Sequence, residues 1–164
     1  MKTRQVEPRT FFPVFENQGK KVALLQLVYM SSLVTDEPEI LPAILDVSVR
    51  NNRRRNITGM MLYADGNILQ VLEGEKDALL KTFRSIELDA RHRGIFVLIE
   101  KEIAARQFAS WSMGFRQLTK AVLEKFPVAA HVFKTRQDEI ALRGRPSDAL
   151  TVLKSFAEDP MGML

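Results

Sequence analysis

The chain has 164 residues, of which 46% are hydrophobic and 27% charged, a composition typical of a globular domain with a sizeable core. With no cysteine and only two histidines, it excludes disulfides and thiol chemistry and makes a histidine-rich metal site improbable. The formal net charge of +4 is uneven, because residues 1–22 hold five basic and two acidic side chains, whereas residues 23–119 hold twelve of each. A neutral body argues against a clustered basic surface for nucleic acid.

Residues 1–21 form a polar segment in which phenylalanines stand singly among charges. This segment lacks the apolar stretch of a secretory signal, and no apolar run approaches the roughly 18–20 residues that cross a bilayer. We interpret residues 1–21 as an N-terminal arm, and we expect a cytoplasmic protein without a membrane partner.

The next part of the chain predicts a strand followed by an amphipathic helix. The strand covers residues 22–29 and ends at Tyr29. The helix begins near Pro38, because Pro42 is tolerated only where backbone N–H groups need no helical partner. One stripe of this helix, with Asn51 beside it, carries four residues at steps of three and four: Leu41, Leu45, Ser48 and Asn52.

Further along, alternating and helical patterns predict four more strands and a second helix. The Asp65-Gly66 pair is a strong signal for a tight hairpin turn. The strand over residues 95–99 is continuously apolar, which predicts burial on both faces. The predicted elements are strands at 57–63 and 67–73, a helix at 75–89, the strand at 95–99 and, after a bend, a fifth strand at 111–117.

This order predicts an α+β fold: a ferredoxin-like βαββαββ sandwich with a five-stranded mixed sheet and both helices on one face. Residues 119–164 would form a C-terminal helical extension that covers the other face of the sheet. Within it, segments 119–126 and 147–157 are the predicted covering elements. The second segment presents an apolar stripe made of Ala149, Leu150, Leu153 and Phe156.

Gln70 is a polar residue in an otherwise apolar strand, so its amide needs a polar partner. Strand alternation places its amide on the face of Ile68 and Leu72, and a buried amide without partners costs about 1–3 kcal/mol. The hydroxyl of Tyr29, at the end of an apolar strand, also needs a polar partner. A phenol and a carboxamide that face one cavity share a hydrogen bond and still offer a donor and an acceptor to a third group.

The sequence offers little for conventional catalysis. It has neither a Gly-x-Ser-x-Gly elbow nor a glycine-rich phosphate-binding motif. Several short segments, taken together and in order, instead resemble the BLUF domains, which are blue-light sensors that use flavin. The resemblance covers about residues 22–118 and is carried by six segments: 28–31 (VYMS), 48–52 (SVRNN), 57–59 (ITG), 69–74 (LQVLEG), 89–92 (DARH) and 111–113 (WSM).

The resemblance implies a non-covalent flavin between the two helices, usually FAD, with FMN or riboflavin as alternatives. Gln70 corresponds to the glutamine that bonds flavin N5 and the C4 carbonyl. Tyr29 corresponds to the tyrosine that gives an electron and a proton to the excited flavin. Asn52 matches the side chain that pairs with the ring edge, and Asn51 matches its neighbour in the pocket.

The remaining matches concern signalling and the far side of the flavin. Trp111 and Met113 match residues that exchange places near the glutamine and relay the change to the fifth strand. Asp89, Arg91 and His92 match further cofactor-binding positions. Two alternatives stay open: Asp89 caps the turn or pairs with an arginine, and His92 is an ordinary turn residue.

The sequence also departs from the family pattern. Many members carry an arginine, placed to meet the flavin C2 carbonyl, where this chain has Ser85, and Arg84 lies one residue earlier, about 100° around the helix. Arg91, Arg84 or a water molecule could take that role. The run Arg53-Arg54-Arg55 is interpreted as a solvated loop, with contacts to flavin phosphates or to an acidic partner as the alternative.

The resemblance implies a blue-light photoreceptor without catalysis of its own. Light would drive proton-coupled electron transfer from Tyr29 and rearrange the hydrogen bonds of Gln70. The signal would pass through the fifth strand and the C-terminal helices to a separate effector protein or to an interface of a homo-oligomer. Two alternatives remain open at this point: a ferredoxin-like protein- or nucleic-acid-interaction module without photochemistry, and a flavin enzyme.

Overall fold

The computed structural model describes residues 22–35, 37–135 and 138–158, so the predicted arm at 1–21 lies outside the described residues. Five strands form one mixed sheet in the order β4-β1-β3-β2-β5, which confirms the predicted α+β class. The elements are β1 Leu24–Leu33, a 3-10 turn Pro38–Ile40, α1 Leu41–Arg54, β2 Thr58–Ala64, β3 Asn67–Glu75, α2 Lys76–Glu87, β4 His92–Ile103, β5 Gly114–Gln117, α3 Lys120–Lys125, α4 Pro127–Lys134, α5 Glu139–Arg143 and α6 Pro146–Ala157.

A tight hairpin turn and the lengths of the strands determine how the strands pair in the sheet. Asp65 and Gly66 both adopt positive φ, 45° and 77°, as a two-residue hairpin turn requires, and join β2 to β3 antiparallel. The long β1 lies between β3 and β4 and is antiparallel to both. The short β5 pairs in parallel with the outer side of β2 and makes the sheet mixed.

Strand alternation divides the interior into two cores, one on each face of the sheet. On one face, α1 and α2 pack against the side chains of Leu27, Tyr29 and Leu72. On the other face, α4, α5 and α6 pack against Val28, Met30 and further strand residues. The predicted stripe at Ala149, Leu150, Leu153 and Phe156 lies in this second core, as expected. Among the described residues, no helix is long and apolar enough to span a membrane.

In its described residues, 119–135 and 138–158, the C-terminal extension has four helices where the sequence indicated two segments. The Thr119 hydroxyl caps α3 by accepting a bond from the Val122 N–H at 3.3 Å. Phe156 of α6 is 1% exposed and packs beside Phe126. The guanidinium of Arg116, on β5, lies 4.8 Å from the centre of the Phe156 ring and so joins the sheet edge to the last helix.

Two predictions about strands were wrong. β1 continues four residues beyond Tyr29, so the phenol lies within the strand rather than at its end. β4 runs from His92 to Ile103 and forms one edge of the sheet, where only Phe96 is fully buried. The continuous apolar run predicted burial on both faces. That prediction failed because an edge strand, which has a neighbour on one side only, carries the same apolar residues.

The fifth strand was also predicted too long. β5 begins at Gly114, so Trp111 and Met113 belong to the loop that precedes it. Strand alternation therefore does not relate these two side chains. The hydrogen bonds of the loop, rather than a pleat, determine where each of them lies.

Candidate cofactor site

A cavity opens between α1, α2 and the sheet. All seven residues predicted to bind a cofactor line it: Tyr29, Asn51, Asn52, Gln70, Asp89, Arg91 and His92. The apolar part of its lining includes Ile44 and Val47 from α1 and Ile86 from α2. Residues widely separated in the sequence thus meet at one site, because both helices cover the same sheet face.

Tyr29 and Gln70 are direct neighbours across β1 and β3. The Tyr29 hydroxyl donates to Gln70 Oε1 at 2.6 Å, and both side chains are at most 2% exposed. The Phe83 ring of α2 meets the tyrosine ring edge-on, with centres 5.1 Å apart, and helps to hold its orientation. Burial, together with the negative charge of Asp89, raises the pKa of Tyr29 far above its ordinary value, so the phenol keeps its proton.

The other end of the Gln70 amide meets a weaker partner. Its Nε2 donates to the Met113 sulfur at 3.6 Å, and a thioether is a poor acceptor. Met113 is buried, whereas Trp111 is half-buried and its ring lies beside Gly114. In this structure Met113, not Trp111, therefore lies next to Gln70. The two ends of the Gln70 amide thus have partners of unequal strength.

The last turns of α1 bring two asparagines to the cavity. Asn52 is 2% exposed, and its Nδ2 donates to the carbonyl of Ser112 at 2.7 Å. This bond ties α1 to the loop that carries Met113. Asn51 is half-buried and lines the cavity beside it.

Asp89, Arg91 and His92 form the end of the cavity nearest the start of β4. Arg91 binds the Asp89 carboxylate through Nε at 2.9 and 3.1 Å and through Nη2 at 2.5 Å. These hydrogen bonds hold the pKa of Asp89 below its usual range and raise that of Arg91. His92 Nδ1 lies 3.2 Å from the Ser31 hydroxyl, and burial is the main cause of its lowered pKa.

Sequence reasoning missed Thr82 as a polar residue of the cavity and left the roles of Arg55 and Ser85 open. Arg55 is exposed, yet it lines the cavity, and its Nη1 donates to the Thr82 hydroxyl at 2.9 Å. The helical period could have found Thr82, since it lies one turn before Ile86 on the same side of α2. Arg84 lies with Lys81 and Asp77 around a different part of that helix.

The donors and acceptors of the cavity suit a planar heteroaromatic ring. Apolar side chains from two helices would cover the faces of such a ring, while amides from Gln70, Asn51 and Asn52 would meet carbonyls and nitrogens along its edge. Arg91 adds a cation suited to a ring carbonyl. The isoalloxazine ring of a flavin has these features, so the residues present fit the cofactor.

The fold and cavity define a flavin-binding sensory domain. The model of the family described as "Sensors of blue-light using FAD" matches residues 24–114, and the chain belongs to this BLUF family. It is a blue-light sensor domain that binds flavin and takes part in signal transduction.

Relatives with known names agree with this assignment. The chain is 32% identical over 106 residues to photoactivated adenylate cyclase subunit beta of Euglena longa, a match that covers 63% of this chain and 12% of that protein. It is 30% identical over 91 residues to the blue light- and temperature-regulated antirepressor BluF of Escherichia coli K12, covering 55% of this chain and 23% of the relative. The chain thus spans less than a quarter of either curated relative.

Among solved structures, the dark-state structure of the BLUF protein BlrB superposes with a TM-score of 0.68 at 28% identity. The match covers 84% of this chain and 97% of BlrB. The similarity therefore extends beyond the sheet and its two helices into the C-terminal extension, since residues 24–114 are little more than half of the chain.

Proposed function

We propose that Tyr29 and Gln70 are the photochemical pair of this sensor. The bound flavin supplies absorption of blue light and an excited state that takes up an electron and a proton. Tyr29 gives up both, and its O–H bond is aimed at Gln70 Oε1, so the proton leaves through the carboxamide. Both return to Tyr29, and Gln70 is left with its amide reversed. The 2.6 Å bond between two buried side chains is the observation that carries this proposal.

Reversal of the Gln70 amide would change both the absorption of the bound flavin and the hydrogen bonds around Gln70. In the arrangement described, Gln70 offers its carbonyl to Tyr29 and its NH2 to a sulfur. After reversal, one hydrogen of the NH2 group would bond the Tyr29 hydroxyl, and the other would strengthen a hydrogen bond to a flavin carbonyl. A stronger bond there lowers the excited state more than the ground state and shifts the absorption to the red.

The remaining cavity residues hold the cofactor, which we propose to be FAD. Asn51 and Asn52 bind the ring edge, and Arg91, with its charge balanced by Asp89, meets the C2 carbonyl in place of the arginine that many family members carry at the position of Ser85. His92 closes the same end. Arg55, at the end of α1, lies where it can reach a phosphate of FAD or FMN.

The signal is proposed to leave through residues 111–118 and the C-terminal helices, without catalysis by this chain. A domain over 22–118 would sense light and an extension over 119–164 would transmit it. The relatives support this division, since related sensor segments occur in proteins named as an adenylate cyclase subunit and as an antirepressor. Exposed Phe126, Val128 and Ile140 offer apolar contacts to a separate effector protein or to a second copy of the chain.

A tyrosine pair tests the proposal. Tyr29→Phe removes the hydroxyl that donates to Gln70, and Tyr63→Phe is the matched control, because Tyr63 is the chain's other tyrosine and is buried on the same sheet face. Both variants should bind flavin. The reversible light-induced red shift should disappear in Tyr29→Phe and persist in Tyr63→Phe. A full red shift in Tyr29→Phe would overturn the proposal.

A further inference from the structure

A buried carboxylate outside the cavity has no part in the function proposed so far. Glu73 lies on β3, three residues from Gln70 and on the opposite face, and is 0% exposed. Its Oε1 accepts a bond from Gln26 Nε2 at 2.7 Å. Its Oε2 accepts two backbone N–H groups, from Gln107 at 2.8 Å and from Phe108 at 2.9 Å.

Those two backbone groups belong to the loop 104–113, which has an unusual path. β4 and β5 form opposite edges of the sheet, so the loop that joins them must cross the width of three strands. Glu73 fixes the middle of the crossing, and the Phe108 side chain is buried beside it in the core under the C-terminal helices. Arg106 adds bonds to the Thr58 hydroxyl at 2.9 Å and to the Glu73 carbonyl at 2.7 Å.

The end of the same loop reaches the cofactor site only a few residues later. The carbonyl of Trp111 accepts from the Gly59 N–H at 3.1 Å, and that of Ser112 accepts from Asn52. Met113 then meets Gln70. Only four residues lie between Phe108 and Met113, so a displacement of Phe108 is readily passed to Met113.

We propose that Glu73 is a positioning residue for the photocycle: its carboxylate anchors the loop 104–113 and thereby holds Met113 against Gln70. The inference rests on the proposed roles of Gln70 and Met113. Without the carboxylate, two N–H groups at the anchor lose their acceptor, and the loop rearranges to find water. The change reaches Met113 because its loop is tethered on both sides.

The orientation of Gln26 predicts which substitution rescues the anchor. Gln26 gives its NH2 group to Glu73, and its own Oε1 is buried without a hydrogen-bond partner among the described residues. In Glu73→Gln, the new carbonyl can accept from the loop. The new NH2 group donates to Gln26 Oε1 once the Gln26 amide turns over and releases its 3.1 Å bond to Gln107 Oε1. Glu73→Gln should therefore behave like the wild type, and Glu73→Ala should not.

Trp111 reports on the loop directly, since it is the only tryptophan of the chain. Acrylamide quenching of its fluorescence is measured on flavin-loaded protein in the dark. The quenching constant should rise about twofold or more in Glu73→Ala, because a released loop exposes the ring. It should stay at the wild-type value in Glu73→Gln and in Glu75→Ala, an exposed acidic residue at the end of the same strand. Unchanged quenching in Glu73→Ala would overturn the anchor.

The dark-recovery rate after a blue-light pulse tests the link to the switch. Glu73→Ala should change this rate about threefold or more at unchanged flavin content, and Glu73→Gln should restore it. Raised quenching with an unchanged recovery rate would overturn the positioning role. If the wild-type protein shows no light response, both the proposed function and the positioning role are contradicted. The quenching result would still test whether Glu73 anchors the loop.

Amide hydrogen exchange in the wild-type protein keeps the inference testable if Glu73→Ala does not fold. The N–H groups of Gln107 and Phe108 should exchange about tenfold or more slowly than in an unstructured peptide, although the Gln107 residue is exposed. Exchange of both groups at the peptide rate would overturn the anchor.

Discussion

Gln70 meets a different partner at each end of its amide, and that asymmetry has a consequence for Tyr29. A tyrosine hydroxyl both donates and accepts, so it donates to the Gln70 carbonyl in the arrangement described and accepts from the NH2 group once the amide reverses. The phenol must therefore rotate its hydrogen together with the amide. We expect the two side chains to switch as a unit.

His92 should make the stability of the protein depend on pH. Burial lowers its pKa in the folded state, so between that value and the ordinary value near 6.5 the unfolded chain binds more protons than the folded one. Stability should rise with pH through this window and fall as the pH drops below about 6.5. Urea unfolding at pH 7.5 and 5.5 should show a smaller loss in His92→Gln than in the wild type.

His131→Gln is the matched control for this experiment, because His131 is the other histidine of the chain and is exposed. It should retain the pH dependence of the wild type. Equal losses of stability in the wild type and in His92→Gln would contradict the assignment of a buried, neutral imidazole.

Much of the candidate site was predictable from single residues. Strand alternation placed Gln70 on the face of Ile68 and Leu72, and the resemblance supplied the partners that meet it in one cavity. The sequence left the role of the three arginines open and could not single out Arg55, because the run has no period that distinguishes one arginine from the others. The hydrogen bonds of Glu73 could not be predicted for another reason: its partners in the loop follow it by 34 and 35 residues, and no local pattern links such distant positions.

At the scale of secondary-structure elements, β2 and β3 lie very close together at Gly59. A Cβ atom on Gly59 would lie 2.1 Å from the carbonyl oxygen of Val71, and backbone atoms cannot move aside as a flexible side chain does. Gly59→Ala should therefore destabilise the protein by about 1–3 kcal/mol, measured by urea unfolding. Because the Gly59 N–H also binds Trp111, the same change should disturb the loop.

Gly114→Ala separates this effect from a general cost of replacing a strand glycine. A Cβ atom at Gly114 would meet its nearest neighbours at 3.6 Å, an ordinary contact distance. The free energy of unfolding should change much less than in Gly59→Ala. Equal losses in the two variants would show that the approach of β2 to β3 is not the cause.

The order of helices and strands could be predicted from the sequence, but the neighbours of each element in the fold could not. The Asp65-Gly66 turn and the helix start at Pro38 appear where local chemistry placed them. The apolar run at 95–99 gave no sign that β4 would have a neighbour on one side only. The loop before β5 was equally hidden, because its conformation depends on Asn52 and Glu73, which are distant in the sequence.

In the protein as a whole, the sheet separates two cores, one beside the cofactor cavity and one under the C-terminal helices. Phe156→Ala should destabilise the second core by about 3–5 kcal/mol, since this ring is 1% exposed. Ile140→Ala is the control, because Ile140 is 85% exposed and should contribute little. Thermal unfolding measures both changes.

The two cores also make a spectroscopic prediction. In folded Phe156→Ala protein the light-induced red shift should remain, because the photochemical pair faces the other core. Loss of the shift from a variant that still binds flavin would contradict this separation of sensing from transmission.

The light-minus-dark absorption spectrum of the purified protein, recorded beside that of Gln70→Leu, tests the account most directly. The wild-type protein should be yellow, and blue light should move its flavin band slightly to the red, with full return in the dark. Gln70→Leu should bind flavin and show no such shift, because leucine has no amide to reverse. A reversible red shift of wild-type size in Gln70→Leu would contradict the account.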